Sequence, residues 1–128
     1  MTKTIIVIHR DQDVRRTLKR TIDQVTRSQD VHFFETPAEV MTYVMQEMRL
    51  GEEVLLITGS TFDVPGIATQ LIDAVRGWLA DKTKEYVKAV IYSRNPQAEL
   101  MAVVAGERWI LMPDDGELST LVREFLGA

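Results

Sequence analysis

Short runs of β-branched and other apolar residues alternate with helix-length amphipathic stretches along this chain, and that alternation restricts its fold more than any other feature. The first run, Ile5-Ile6-Val7-Ile8, offers no polar residue to either side, as a strand covered on both faces of a parallel sheet requires. Behind it Val14, Leu18, Ile22 and Val25 recur every three or four residues, one face of a helix over about 12–27, with Asp11 or Asp13 as its cap or first-turn acid. Residues 31–34 make a second, short strand. Thr36-Pro37-Ala38-Glu39 then has the pattern of a capping box with Pro at the first helical position. The helix it opens turns Val40, Val44, Met45 and Met48 inward and closes at Gly51.

The same alternation continues to the end. Val54-Leu55-Leu56-Ile57-Thr58 is a third strand, buried on both faces, followed by a turn-rich loop over 59–66. Leu71, Ile72, Val75, Trp78 and Leu79 stripe a third helix, and residues 82–85 form a polar connection to a fourth strand over 87–92. Asn95-Pro96 breaks the chain there. A short fourth helix over 97–105, carrying Leu100, Met101, Val103 and Val104, ends at Gly106. Residues 109–111 are the fifth strand, and Leu118, Leu121, Val122, Phe125 and Leu126 stripe a last helix over 117–126.

Five strands, each followed by a helix long enough for a crossover, demand parallel pairing with right-handed connections. The expected fold is therefore α/β: a three-layer (βα)5 sandwich around a doubly wound parallel sheet of order 2-1-3-4-5, with its ligand crevice at the carboxyl ends of the strands. At 128 residues, 45% apolar and 27% charged, the chain has the size and balance of one globular domain spanning 1–128. The net charge of −4 argues against nucleic acid or an anionic membrane as a general partner. The absence of cysteine excludes disulfides, thiolate metal sites and a cysteine nucleophile. No apolar run approaches the roughly 18 residues of a membrane span, and the chain reads as cytoplasmic.

The strand ends carry the chemistry: His9-Arg10-Asp11, Thr58-Gly59-Ser60, Ser93-Arg94 and Met112-Pro113. Here the chain resembles the response-regulator receiver domains, whose fold is flavodoxin-like. KTIIVIHRDQDVRRTL is similar to the family's opening strand, acidic pair and first helix; VLLITGSTFDVPG to its acceptor strand and Pro-Gly loop; VIYS to its fourth strand; WILMP to its aromatic, fifth strand and Lys-Pro ending. The resemblance implies a two-component signal-transduction role. It also implies a degenerate member, a pseudo-receiver. The family's paired acids fall on His9 and Arg10, its phosphate-accepting aspartate on Thr58 and its lysine on Met112, while Ser93, Trp109, Pro113 and Pro65-Gly66 match it.

Those replacements remove the family's chemistry on physical grounds. Mg²⁺ needs hard oxygen ligands, and an imidazole with a guanidinium cannot supply them. A threonine cannot form the acyl phosphate of an aspartate, and losing lysine and metal removes the charge stabilisation of phosphoryl transfer. No phosphoacceptor, metal, cofactor or catalytic residue is expected.

Two readings of the strand-end residues stand side by side. In one, His9, Arg10 and Arg94, with the Thr58, Ser60, Thr61 and Ser93 hydroxyls, turn the crevice into a site for phosphate, a carboxylate or a nucleotide, beside Asp11 and Met112. In the other, His9 and Arg10 are solvated or Arg10 pairs with Asp11, the Thr58 and Ser93 hydroxyls satisfy local backbone, and Asp63 is a turn residue. No Gly-rich phosphate loop favours the first. His32 reads as structural. Arg15, Arg16, Lys19 and Arg20 form either a salt-bridged face, through Asp11–Arg15 and Lys19–Asp23, or a dock for an acidic partner.

In receivers the surface formed by the fourth helix, fifth strand and fifth helix commonly binds partners. The corresponding residues are Leu100, Met101, Trp109, Leu118 and Val122, Trp109 being equally suited to core packing. The leading expectation is a stand-alone pseudo-receiver acting as a phosphorylation-independent module, bound to a signalling partner or to itself through that face. The alternative is an anion- or nucleotide-sensing domain that uses the crevice.

Overall fold

The computed structural model describes residues 3–26, 30–59 and 67–127. The order is β1 (Lys3–Ile8), α1 (Gln12–Asp23), β2 (Val31–Phe34), α2 (Pro37–Glu47), β3 (Glu53–Thr58), α3 (Ile67–Trp78), β4 (Val87–Ser93), α4 (Pro96–Ala105), β5 (Arg108–Leu111) and α5 (Asp115–Leu126). All strand pairs are parallel, in the order β2-β1-β3-β4-β5. This is the doubly wound α/β sheet expected from the alternation.

The central strands bury both faces, which is why their sequences are continuously apolar. Ile6, Ile8, Val54 and Leu56 face a core closed by α2, α3 and α4, through Val40, Val44, Ile72, Val75, Ala98 and Ala102. Ile5, Val7, Leu55 and Ile57 face the opposite core, closed by α1 and α5 through Leu18, Ile22, Leu118 and Val122. Successive strand residues thus feed alternate layers, as the pleat dictates.

Helix ends follow local chemistry. Asp11 caps α1 by accepting from the Asp13 N–H, Thr36 and Glu39 complete the capping box of α2, and Asn95 and Asp114 cap α4 and α5. Gly106 ends α4 in the left-handed conformation that its place after the last turn favours. Two helices are shorter than their apolar spacing implies. The first stops at Asp23, after which Val25 and Thr26 bond back to Ile22 in a turn. The second stops at Glu47, and Gly51 belongs to the turn beyond it rather than to the helix end.

Periodicity also placed two residues on the wrong side. Met45 and Trp78 are exposed, because each lies at the margin of its stripe and the neighbouring Val44 and Leu79 fill the inward positions. A larger correction concerns Leu118 and Val122, expected on an interaction face. Both are fully buried against the sheet, on the face of α5 that closes the second core.

A buried polar network holds the opposite, amino-terminal end of the sheet. Arg76 of α3 donates from Nε and one terminal nitrogen to the Val87 carbonyl, at 3.2 and 3.0 Å, and from the other to both carboxylate oxygens of Glu107 at 2.6 Å. Asp81 is buried and accepts from the Glu85, Tyr86 and Val87 N–H groups, so it caps the entry to β4.

Candidate functional site

The carboxyl ends of β1, β4 and β5 and the first turns of α1 enclose a cavity of about 970 Å³. His9, Arg10, Asp11, Ser93, Arg94 and Met112 all line it, so the fold gathers most of the strand-end residues singled out in the sequence. Thr58 does not join them. It is fully buried at the end of β3, outside the cavity lining, and its hydroxyl donates to the Gly59 carbonyl at 3.0 Å. Ser60, Thr61, Asp63 and Pro65-Gly66, which the sequence also brought into question, lie outside the described residues.

His9 is 4% exposed, so the solvated reading does not hold for it. Its Nδ1 accepts from the Asp11 N–H at 3.0 Å, which fixes the neutral tautomer with the proton on Nε2. Burial, opposed by the nearby Asp11 carboxylate and assisted by the Arg15 charge, holds its pKa below the usual 6.5. Gly59 makes this placement possible: a Cβ there would lie 2.5 Å from His9 Cδ2 and 2.9 Å from Nε2. The imidazole is therefore a neutral pin between the β1–α1 turn and the end of β3.

Arg15 leaves the expected pairing with Asp11 and donates instead to the carbonyls of His9 and Arg10, at 2.6 and 3.0 Å. Charge-assisted bonds to two otherwise loose carbonyls hold the turn more directly than an exposed ion pair would. Lys19 does pair with Asp23, at 3.1 Å, and Arg16 lies 3.8 Å from Asp13. The basic side of α1 is accordingly largely committed within the chain.

At the other wall, the buried Tyr92 donates its hydroxyl to Asp115 at 2.9 Å, and burial together with that bond raises its pKa well above the usual 10. Ser93 Oγ accepts from the Asn95 N–H at 3.0 Å and so orients the turn into α4. Val14, Leu18, Met112 and Pro113 give the cavity an apolar floor. Met112 occupies the position where the receiver resemblance expects a lysine; it packs partly against the second core and lines the cavity as an uncharged side chain.

The donor set does not fit Mg²⁺. Of the two lining carboxylates, Asp11 is spent on the helix cap and Asp13 is largely exposed on the first helical turn beside Arg16. Arg10 also lines the cavity, and among the described residues no three His, Asp or Glu side chains converge as a cation needs. Charge among the described lining residues is balanced, with Arg10 and Arg94 against Asp11 and Asp13.

A second surface lies on α4 and the edge strand β5. Leu100, Val103 and Val104 of α4 and Leu111 of β5 are 65, 70, 80 and 53% exposed, a cluster of large apolar side chains along the open edge of the sheet. Trp109 is half-buried against the first core, and its Nε1 is a buried donor with no partner among the described residues. Sequence reasoning missed the exposure of Val103 and Val104 because it took them as helix markers. It also missed Arg76 and Glu107, although a charged residue inside the stripe Ile72-Val75-Arg76-Leu79 is itself a signal of a buried pair.

No protein-family model and no curated protein matches the sequence. Solved structures do match its fold. The signal receiver domain of an HD domain-containing protein from Pseudomonas fluorescens superposes with a TM-score of 0.72 at 16% identity, covering 99% of this chain and 96% of that one. A response regulator receiver domain protein from Methanospirillum hungatei gives 0.71 at 16% identity over 99% and 95% of the two chains. The N-terminal domain of an uncharacterised protein from Wolinella succinogenes gives 0.69 at 14% identity over 99% and 95%. No described helix is long and apolar enough to cross a membrane. The sheet order, the helices on both faces and these superpositions together identify the chain's fold as that of the response-regulator receiver domains.

Proposed function

We propose that residues 1–128 are a single receiver-like regulatory domain of a cytoplasmic signalling pathway, a pseudo-receiver that works without phosphorylation and without catalysis by binding protein. The exposed apolar cluster of Leu100, Val103, Val104 and Leu111 carries this reading. Monomeric proteins seldom leave such a group of large aliphatic side chains uncovered unless it binds something. The cluster occupies the face that the sequence singled out, although the residues that present it are not Leu118 and Val122.

The strand ends support the other half. The acceptor position holds Thr58, buried and bonded to its neighbour's carbonyl. His9, Arg10 and Met112 replace the acids and the lysine that phosphoryl transfer would use. The partner is a protein, either a signalling component or a second copy, and neither nucleic acid nor membrane suits a chain of net charge −4.

Two measurements test the proposal. Intact mass after treatment with acetyl phosphate and Mg²⁺ is expected to be unchanged; an added phosphate on any residue contradicts phosphorylation independence. Val104→Glu places a charge at the most exposed point of the cluster without touching the core. It is expected to abolish self-association in light scattering, or capture of the partner, with the circular dichroism spectrum unchanged. Association that survives Val104→Glu and Leu100→Glu together removes this face from consideration.

A further inference from the structure

The cavity at the strand ends has a composition that the protein-binding role does not use. Its floor is apolar, formed by Val14, Leu18, Met112 and Pro113 from α1 and the turn after β5. Its rim is charged but balanced. Asp11 is engaged in capping α1, and Asp13 lies beside Arg16. Arg94 differs from them: among the described residues its guanidinium makes no hydrogen bond or ion pair. It stands at the turn between β4 and α4, near enough to Tyr92 for its charge to act on that hydroxyl.

An apolar floor of this size under one uncommitted guanidinium selects a particular ligand chemistry. Apolar area in the ligand replaces water against Met112, Pro113 and Val14, and a planar anion takes the two-pronged hydrogen bonding that a guanidinium offers. A dianionic phosphate gains less. Asp11 and Asp13 share the rim, His9 is neutral and cannot offset them, and phosphate has no apolar part to cover the floor. We propose that this cavity binds a small organic monocarboxylate, its carboxylate on Arg94 and its apolar body on the floor made by Val14, Met112 and Pro113.

The inference stands apart from the protein-binding role and is tested separately by NMR titration of the ¹⁵N-labelled chain. The probes are 3-phenylpropanoate, its neutral amide 3-phenylpropanamide, and inorganic phosphate. The carboxylate is expected to give saturable shifts at the Val14, Arg94 and Met112 amides, with the amide bound at least about tenfold more weakly, since a hydrogen bond to a charged group is worth that much. Arg94→Gln, an exposed substitution that leaves the core intact, is expected to weaken the carboxylate by a similar factor. The proposal is overturned if no saturable shifts occur, if they fall on other surfaces, if Arg94→Gln binds as well as the parent, or if phosphate binds as tightly as the carboxylate.

Discussion

Replacing Arg76 by methionine probes the buried pair that ties α3 to β4 and to the turn between α4 and β5. Methionine keeps the apolar stem and most of the volume, so the change isolates the guanidinium. In the parent, Arg76 and Glu107 side chains are only 10% and 4% exposed, and Arg76 reaches both Glu107 oxygens and the Val87 carbonyl. Arg76→Met leaves the Glu107 carboxylate uncompensated in a place water barely reaches, and it strips two donors from Val87. Breaking a buried pair from one side costs about 3–5 kcal/mol. With a urea m-value of roughly 2 kcal/mol/M for a small domain, the denaturation midpoint should fall by about 1.5–2.5 M. The double variant Arg76→Met with Glu107→Leu should recover most of that loss, because a well-packed apolar pair replaces a desolvated ionic one at little net cost. A single-variant loss under about 1 kcal/mol, or a double variant no more stable than the single, would refute the view that the stranded charge sets the penalty.

Gly59→Ala drives a methyl into the His9 ring at 2.5 Å and should cost about 1–3 kcal/mol in urea unfolding; in a His9→Ala background most of that penalty should vanish, and strict additivity would contradict the contact. The lowered pKa of His9 fixes the sign of an acid effect. Between that lowered value and 6.5 the unfolded chain takes up a proton that the folded chain refuses, so stability falls as pH drops through this window and levels off below it. Urea midpoints across the window should show this slope in the parent and lose it in His9→Gln; an equal slope in both would assign it to other groups. Tyr92→Phe removes the bond to Asp115 and should cost about 1 kcal/mol in thermal or urea unfolding, with no change in the apolar core; an unchanged stability would mean that the bond only exchanges for water.

Much of the fold was legible because the residues that build it report on themselves. Ile5 to Ile8 and Val54 to Ile57 are continuous apolar runs since both of their faces are covered, and Thr36-Pro37-Ala38-Glu39 caps α2 through bonds entirely local to those four residues. The site was legible in part. Its residues stand at strand ends, and parallel topology brings strand ends together whatever the side chains are. What a side chain does after arriving there depends on which hydrogen-bond partners the folded turn presents to it. Thr58 left the crevice because its hydroxyl found the Gly59 carbonyl, and Arg15 turned from Asp11 to the carbonyls of His9 and Arg10.

By itself, then, the sequence determined an α/β sheet of order 2-1-3-4-5 and which residue types stand at its strand ends, since apolar periodicity and residue identity are carried position by position. Tertiary structure decided which way the ambiguous groups face. Packing α5 on the second core buried Leu118 and Val122 and left the apolar side of α4 and β5 to the outside. The close approach of Gly59 made His9 a buried neutral acceptor rather than a surface cation. Both outcomes follow from contacts between segments far apart in the chain, where burial and desolvation, not local preference, set the energy.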